Sequence, residues 1–349
     1  MKYERGILVD VEGYVPGEQP QGSGVIKLNT NENPYPPSPK VLEAIRDLDA
    51  EALRKYPDAV SKQFRAACAE RYGQDSGDWV IIGNGTDELL AMALRTFVDP
   101  GDTVLATYPT YSLYEVLCRL HGCTLHCEDL GKSFQLTESF YKFPARLCFL
   151  TRPNAPTGVA VPRDDVERFC RGFDGIVIID EAYVDFADDN CMDFPKRFEN
   201  AIVMRTFSKS FSLAGMRIGT AVAQPELIRA FLKTKDSYNM NAASQAAGLA
   251  AIQDWPYMRE NAERICRTRA RLQSELRQLG FDVPDSQTNF LLARLESAET
   301  ARGVFQALRD KNILVRYFDV RNLDNALRIT IGTDEECDAL LTALHEILG

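Results

Sequence analysis

The stretch Ile176-Val177-Ile178-Ile179-Asp180-Glu181-Ala182-Tyr183 runs four β-branched apolar residues directly into an acid. Continuous apolarity, without the alternation of a half-exposed strand, is the pattern of a strand covered on both faces of a sheet. Asp180 then falls at the carboxyl end of that strand, deep and poorly solvated. A buried carboxylate is costly unless a cation meets it. An aspartate that merely caps the following turn gives the same pattern, so Asp180 alone leaves both possibilities open.

Similar apolar runs recur at 79–82, 103–107, 123–127, 146–150, 201–205 and 217–223. Between several of them lie amphipathic stretches, such as 87–97 and 110–120. Strands alternating with helices predict βαβ units and a mostly parallel sheet with helices on both sides. After about Tyr238 the texture changes. A long charged helix over 255–279 ends at Gly280, a C-cap residue. Short strands follow at 289–295, 313–316 and 327–331, with helices over 298–311 and 334–348. The first forty residues are irregular, broken by Pro16, Gly17, Pro20, Gly22 and Gly24. A helix starts after Ser38, with Pro39 at its first position. The predicted fold is α/β: an arm over 1–37, a large domain over 38–238 built on a seven-stranded sheet, and a smaller α+β domain over 239–349.

Composition narrows the function classes. The chain has 349 residues, a formal net charge of −10 and only three histidines, His121, His126 and His345. An acidic chain argues against general binding to nucleic acid or membrane surfaces, which takes basic patches. Nine scattered cysteines show no disulfide framework, and the start has no apolar leader, which predicts a cytosolic protein with reduced thiols. Three histidines leave little material for a Ser-His-Asp triad or a His-rich metal site. A metal site at His121, Cys123, His126 and Cys127 is disfavoured, because at strand period 121 and 123 face one way and 126 the other.

Other chemistry-bearing residues fall just after apolar runs. Thr206-Phe207-Ser208-Lys209-Ser210-Phe211-Ser212-Leu213-Ala214-Gly215-Met216-Arg217 puts a lysine among small residues at a strand end. Open α/β sheets bind ligands at that edge. Such a lysine suits a Schiff base to an aldehyde cofactor, with Ser208 and Arg217 as phosphate partners. A solvated loop lysine would look alike. Gly83-Asn84-Gly85-Thr86-Asp87 leads into an amphipathic helix, whose free N–H groups suit a phosphate. Tyr111, past another strand, can stack on a planar ring, while Tyr114 reads as core. Asn154, in Arg152-Pro153-Asn154-Ala155-Pro156-Thr157-Gly158, can bond a ring oxygen or simply shape a turn. Each feature has an ordinary alternative, yet all five occupy strand carboxyl ends.

Together these motifs resemble the fold-type I aminotransferases that use pyridoxal 5′-phosphate (PLP), and more finely the histidinol-phosphate aminotransferases. The likeness runs from Gly13–Gly17 and Leu28–Pro34 (LNTNENP) through Lys55–Asp58, Asn84–Glu88 and Asp180–Tyr183 to Ser208–Gly219 and Leu327–Thr333. The resemblance implies that Lys209 carries the cofactor and shuttles the proton. It pairs Asp180 with the pyridinium nitrogen, and Tyr183 and Asn154 with the phenolic oxygen. It stacks Tyr111 on the ring. It assigns the phosphate to Gly85, Thr86, Ser208 and Arg217, with Asp87 nearby. It implies a homodimer in which Tyr56 reaches the neighbouring subunit's cofactor. Arg316 and Arg328 would bind the anionic end of the substrate, with Tyr14 and Asn33 on its other side. The implied reaction exchanges an amino donor for a keto acceptor, histidinol phosphate against glutamate/2-oxoglutarate. An aromatic amino acid aminotransferase, a phosphothreonine-type decarboxylase and a non-catalytic PLP-fold regulator stand as alternatives. Ala155 departs from the Asn-Pro-Thr-Gly of many relatives, leaving Asn154 as the asparagine of that loop.

Overall fold

The computed structural model describes residues 3–9, 11–14, 17–20 and 24–349. Val15, Pro16 and Gly22, used above, lie outside them. The strands are β1 (Ile26–Lys27), β2 (Val80–Gly83), β3 (Thr103–Tyr108), β4 (Thr124–Asp129), β5 (Leu147–Thr151), β6 (Ile176–Asp180), β7 (Ala201–Thr206), β8 (Gly219–Val222), β9 (Phe290–Arg294), β10 (Ile313–Leu314), β11 (Arg316–Tyr317) and β12 (Ala326–Thr330).

Seven of these form one sheet in the order β2-β8-β7-β6-β5-β3-β4. Only β8 runs antiparallel to its neighbours; the other pairings are parallel. All seven expected strands are present. β6 is the central one, and its residues alternate between two apolar layers. Val177 and Ile179 join one, with Cys148, Leu150 and Val203. Ile178 joins the other, with Phe149, Ile202 and Tyr114. Each such fully buried Ile or Val stabilises the fold by about 1.5–3 kcal/mol, so continuous apolarity follows from burial on both sides.

The register brings the strand ends together. Thr151 stands opposite Asp180, and Asp180 opposite Met204. Because β8 is antiparallel, its first residue, Gly219, lies at the same edge, opposite both Thr206 and Gly83. A crevice-facing edge is thus lined by the residues just past β2, β3, β5, β6 and β7.

Three further strands form a second sheet, β11-β12-β9, and β1 pairs in parallel with β10. The expected strand over 313–316 is therefore two short ones. Ile313–Leu314 pairs with the N-terminal Ile26–Lys27, and after Val315 the chain changes partner to β12. The expected start of β8 at Arg217 shifts to Gly219. Arg217 holds φ 52, a left-handed conformation that no strand accommodates.

The helices follow their end signals. Ser38 caps the helix Pro39–Arg46 through the Lys40 N–H. Thr333 and Glu336 form a reciprocal capping box on Asp334–Leu348. The helix Ala242–Gln253 is not visible as a period: its alanines occupy one half of the circumference while Leu249 and Ile252 stand on the other, and it packs against the helices Pro39–Arg46 and Lys62–Arg71. No helix among the described residues is long and apolar enough to cross a membrane.

Candidate active site

Asp180 is buried at the end of β6. Its Oδ2 accepts the Tyr114 hydroxyl at 2.7 Å, and its Oδ1 accepts the Ala182 N–H at 3.2 Å. No lysine, arginine or histidine among the described residues forms an ion pair with it. Burial raises its pKa to about 6, against the lowering effect of those hydrogen bonds. Tyr114, which reads as core, does stack on Phe149, and it also holds this carboxylate. Nothing in the sequence separates those roles, since a fully buried phenol serves both.

Lys209 follows β7. Its Nζ donates to the Thr30 carbonyl at 3.2 Å and lies 5.7 Å from the centre of the Tyr183 ring. Burial pulls its pKa down to about 8, and the charge of Arg328 acts in the same direction. Asn33 donates to the carbonyls of both Lys209 and Ser210, at 3.1 Å each. The structure therefore gives Asn33 a hold on the lysine loop. Tyr183 packs edge-on against Phe290 and accepts the Asn31 amide at 2.9 Å.

Next to this pair lies a cradle of anion donors. Gly85 holds φ 84 at the start of the helix Thr86–Phe97 and supplies no capping side chain, so the first N–H groups stay open. A Cβ on Gly85 would come within 2.8 Å of Arg217 Nη2, and one on Gly219 within 2.5 Å of the Thr86 nitrogen. Only glycine lets these segments close together. Arg217 reaches Ser208 Oγ at 3.3 Å and Asp87 at 3.2 Å. Tyr111 donates to Asp87 at 3.4 Å, and its ring meets Tyr14 edge-on at 5.8 Å and Tyr114 at 5.7 Å.

Arg316 and Arg328 stand directly opposite each other on β11 and β12. Like charges across a strand pair repel, and neither guanidinium forms an ion pair with a described residue. Arg328 donates to the Asn29 carbonyl at 2.9 Å, while its buried Nε has no partner. Burial, with Arg316 close by, lowers the pKa of Arg328. Two facing guanidinium groups with free donors suit an anion shared between them.

Two expected site residues are engaged differently. The Asn154 amide donates to the Pro109 carbonyl at 3.1 Å, and its oxygen accepts the Thr157 hydroxyl at 2.8 Å. Tyr56 stands apart on the surface, 79% exposed and stacked on Tyr238 at 4.4 Å. The His and Cys candidates are held separately: His121 bonds the Val98 carbonyl and His126 bonds Glu128, both at 2.7 Å. Among the described residues no cluster of three or more His, Cys, Asp or Glu side chains can hold a metal ion. The residues to which sequence reasoning gave no site role are Asn31, Thr30, Thr330 and Tyr114. The left-handed backbone at Asn31, φ 56, is a structural signal with no counterpart in the string of letters.

The site fits PLP on its own chemistry. A buried carboxylate without a cation suits a protonated ring nitrogen. A nearby buried amine suits an aldehyde, and the glycine cradle with Ser208 and Arg217 suits a phosphate. The fold and this site are those of a PLP-type aminotransferase, and the family model described as aminotransferase class I and II matches residues 23–344. The histidinol-phosphate aminotransferase of Geotalea uraniireducens is 44% identical over 336 residues, covering 96% of each chain. Histidinol-phosphate aminotransferase 1 of Nostoc sp. is 42% identical over 349 residues, covering 99% of this chain and 98% of its own. Among solved structures, the histidinol-phosphate aminotransferase of Sinorhizobium meliloti, in complex with pyridoxal-5′-phosphate, superposes with a TM-score of 0.86 at 29% identity, over 92% of this chain and 90% of that one. The chain belongs to the histidinol-phosphate aminotransferases.

Proposed function

We propose that this chain transaminates histidinol phosphate, or in the reverse sense imidazole-acetol phosphate, against the glutamate/2-oxoglutarate couple, in histidine biosynthesis. The observation that carries it is the placement of an unpaired buried carboxylate, Asp180, and a buried amine of lowered pKa, Lys209, at one sheet edge below the facing Arg316 and Arg328.

Bound PLP supplies an electron sink for the charge left when the substrate's Cα proton departs. Asp180 holds the ring nitrogen protonated, because a buried carboxylate gains most from an adjacent cation. Tyr183 and Asn154 would hold the ring oxygen, and Tyr111 would stack on the ring. Gly85, Thr86, Ser208 and Arg217 bind the phosphate, with Asp87 orienting Arg217. Lys209 would hold the cofactor's aldehyde, and its Nζ would take the substrate's Cα proton. A pKa near 8 lets a neutral amine form near neutral pH. Arg316 and Arg328 bind the substrate phosphate in one half-reaction and a glutamate carboxylate in the other, since guanidinium forks match both. Tyr14 and Asn33 border the remaining side.

The same reading divides the chain into an arm over 1–37, a large domain over 38–238 and a small one over 239–349. It places the protein in the cytoplasm as a homodimer, with the exposed Tyr56 serving the neighbouring site. A Tyr56 variant mixed with a Lys209 variant should regain activity in hybrid dimers; no regain would remove the shared site. Lys209→Ala should abolish the visible absorption of the lysine-linked cofactor and nearly all turnover, and full activity would sink the assignment. Half-reactions with histidinol phosphate, phenylalanine and phosphothreonine, followed by that absorption, test the substrate. Histidinol phosphate should react fastest.

A further inference from the structure

The segment 29–33 touches Arg328, Lys209 and Tyr183. The Asn29 carbonyl accepts Arg328 and the Thr30 carbonyl accepts Lys209. Asn31 donates to Tyr183, and Asn33 holds the lysine loop. Asn31 is the member whose geometry is most constrained. It is buried, at φ 56, and its carbonyl accepts the Asn289 amide at 3.0 Å.

Its side chain is held from both ends. The Asn31 backbone N–H donates to Thr330 Oγ1 at 3.0 Å, and the Thr330 hydroxyl donates to Asn31 Oδ1 at 3.1 Å. In this closed ring the amide oxygen takes the Thr330 proton, and the NH₂ faces Tyr183. A phenol oxygen that accepts from an amide keeps its single proton for another acceptor. The Tyr183 proton is thereby reserved for the pocket, while Phe290 holds the ring edge-on.

We infer that Asn31 is a positioning residue, locked by Thr330, that aims the Tyr183 hydroxyl proton at the phenolic oxygen of PLP. The inference rests on the reading in which Tyr183 meets that oxygen. Thr330 lies two residues beyond Arg328 on β12, so the strand that carries the anion-binding arginine also sets this proton.

A hydrogen bond donated to the phenolic oxygen favours its anionic form. Weakening that bond makes the neighbouring lysine nitrogen hold its proton to higher pH. The test is a pH titration of the visible absorption of the holoenzyme, with cofactor affinity measured by equilibrium dialysis. Asn31→Gly keeps the left-handed backbone accessible and removes the amide. Its spectral midpoint should rise part of the way towards that of Tyr183→Phe, and its cofactor affinity should fall. The double variant Asn31→Gly/Tyr183→Phe should titrate like Tyr183→Phe alone, because Asn31 acts only through the phenol. Thr330→Val frees the amide without touching residue 31 and should shift the midpoint in the same direction, whereas Thr330→Ser should restore it. A shifted Tyr183→Phe beside unshifted Asn31→Gly and Thr330→Val overturns the role of Asn31 alone. An unshifted Tyr183→Phe overturns the underlying reading of Tyr183. Full additivity in the double variant overturns the route through Tyr183.

Discussion

Asp180 and Glu181 are neighbouring carboxylates at the end of one strand, both buried, and they meet opposite electrostatic surroundings. The pleat turns Asp180 towards the layer of Tyr114 and Phe149, where no cation of the described residues pairs with it. Glu181 turns to the other side. There its Oε2 accepts Arg205 Nη2 at 2.9 Å and Nε at 3.0 Å, and its Oε1 accepts the Cys191 N–H at 2.5 Å. Arg205 also lies 3.8 Å from Asp185, which accepts the Ser210 hydroxyl next to Lys209. Burial raises the pKa of both acids, but for Glu181 the Arg205 cation opposes it. The difference teaches that burial alone does not mark a functional acid. The mark is burial with the counter-charge withheld.

The contrast can be broken from the Glu181 side first. Glu181→Gln leaves Arg205 as a buried cation with only the distant Asp185, and should cost about 3–5 kcal/mol of stability. Urea denaturation of the cofactor-free protein measures it; a loss under about 1 kcal/mol would put the two acids in one class. Asp180→Asn should do the reverse. Turnover should fall on the order of 10²–10³-fold, as for loss of a preorganised electrostatic partner, while the cofactor-free fold loses no stability.

The pH dependence sharpens the same point. Asp180 has its pKa raised from 3.8 to about 6, so the cofactor-free folded state holds more protons than the unfolded chain between those values. The contribution of its protonated form is therefore present below about pH 4 and lost as pH rises through 6, by roughly 3 kcal/mol. Wild-type minus Asp180→Asn stability should show this fall without cofactor. Saturating PLP should flatten it, because a cation then favours the charged form. The smallest effect belongs to the double replacement Glu181→Met/Arg205→Leu. Removing both members of a buried pair should change stability by only about 1 kcal/mol in either direction, and a loss as large as that of Glu181→Gln would mean the pair does more than cancel its own desolvation.

Much of this was legible from the chain itself. The apolar run before Asp180 has the pattern of a strand covered on both faces, and six more like it, alternating with helices, pointed to a large α/β sheet. Once the strands were placed, Lys209, Tyr183, Gly85 and Arg217 shared an edge, because residues just past parallel strands must. The segment 29–33 was legible as polar and irregular and, through the family resemblance, as bringing Asn33 beside the substrate, but its contacts were not. Its partners lie as far as 299 residues away in sequence, at Arg328 and Thr330, and no local pattern encodes a contact of that span. Tyr114 is core as its sequence reads, but its bond to Asp180 was not legible, since a phenol that only packs on Phe149 and one that also holds Asp180 have the same neighbours in sequence.

The sequence by itself determined the sheet, the sheet edge and the identity of the groups gathered there, because hydrophobic period and strand polarity are local properties. Only the tertiary structure decided which of two adjacent acids keeps its charge uncompensated, and which way the amide of Asn31 faces. Both depend on what stands across a few ångströms of space, and in a low-dielectric interior that separation determines whether a charge is neutralised and where a proton points.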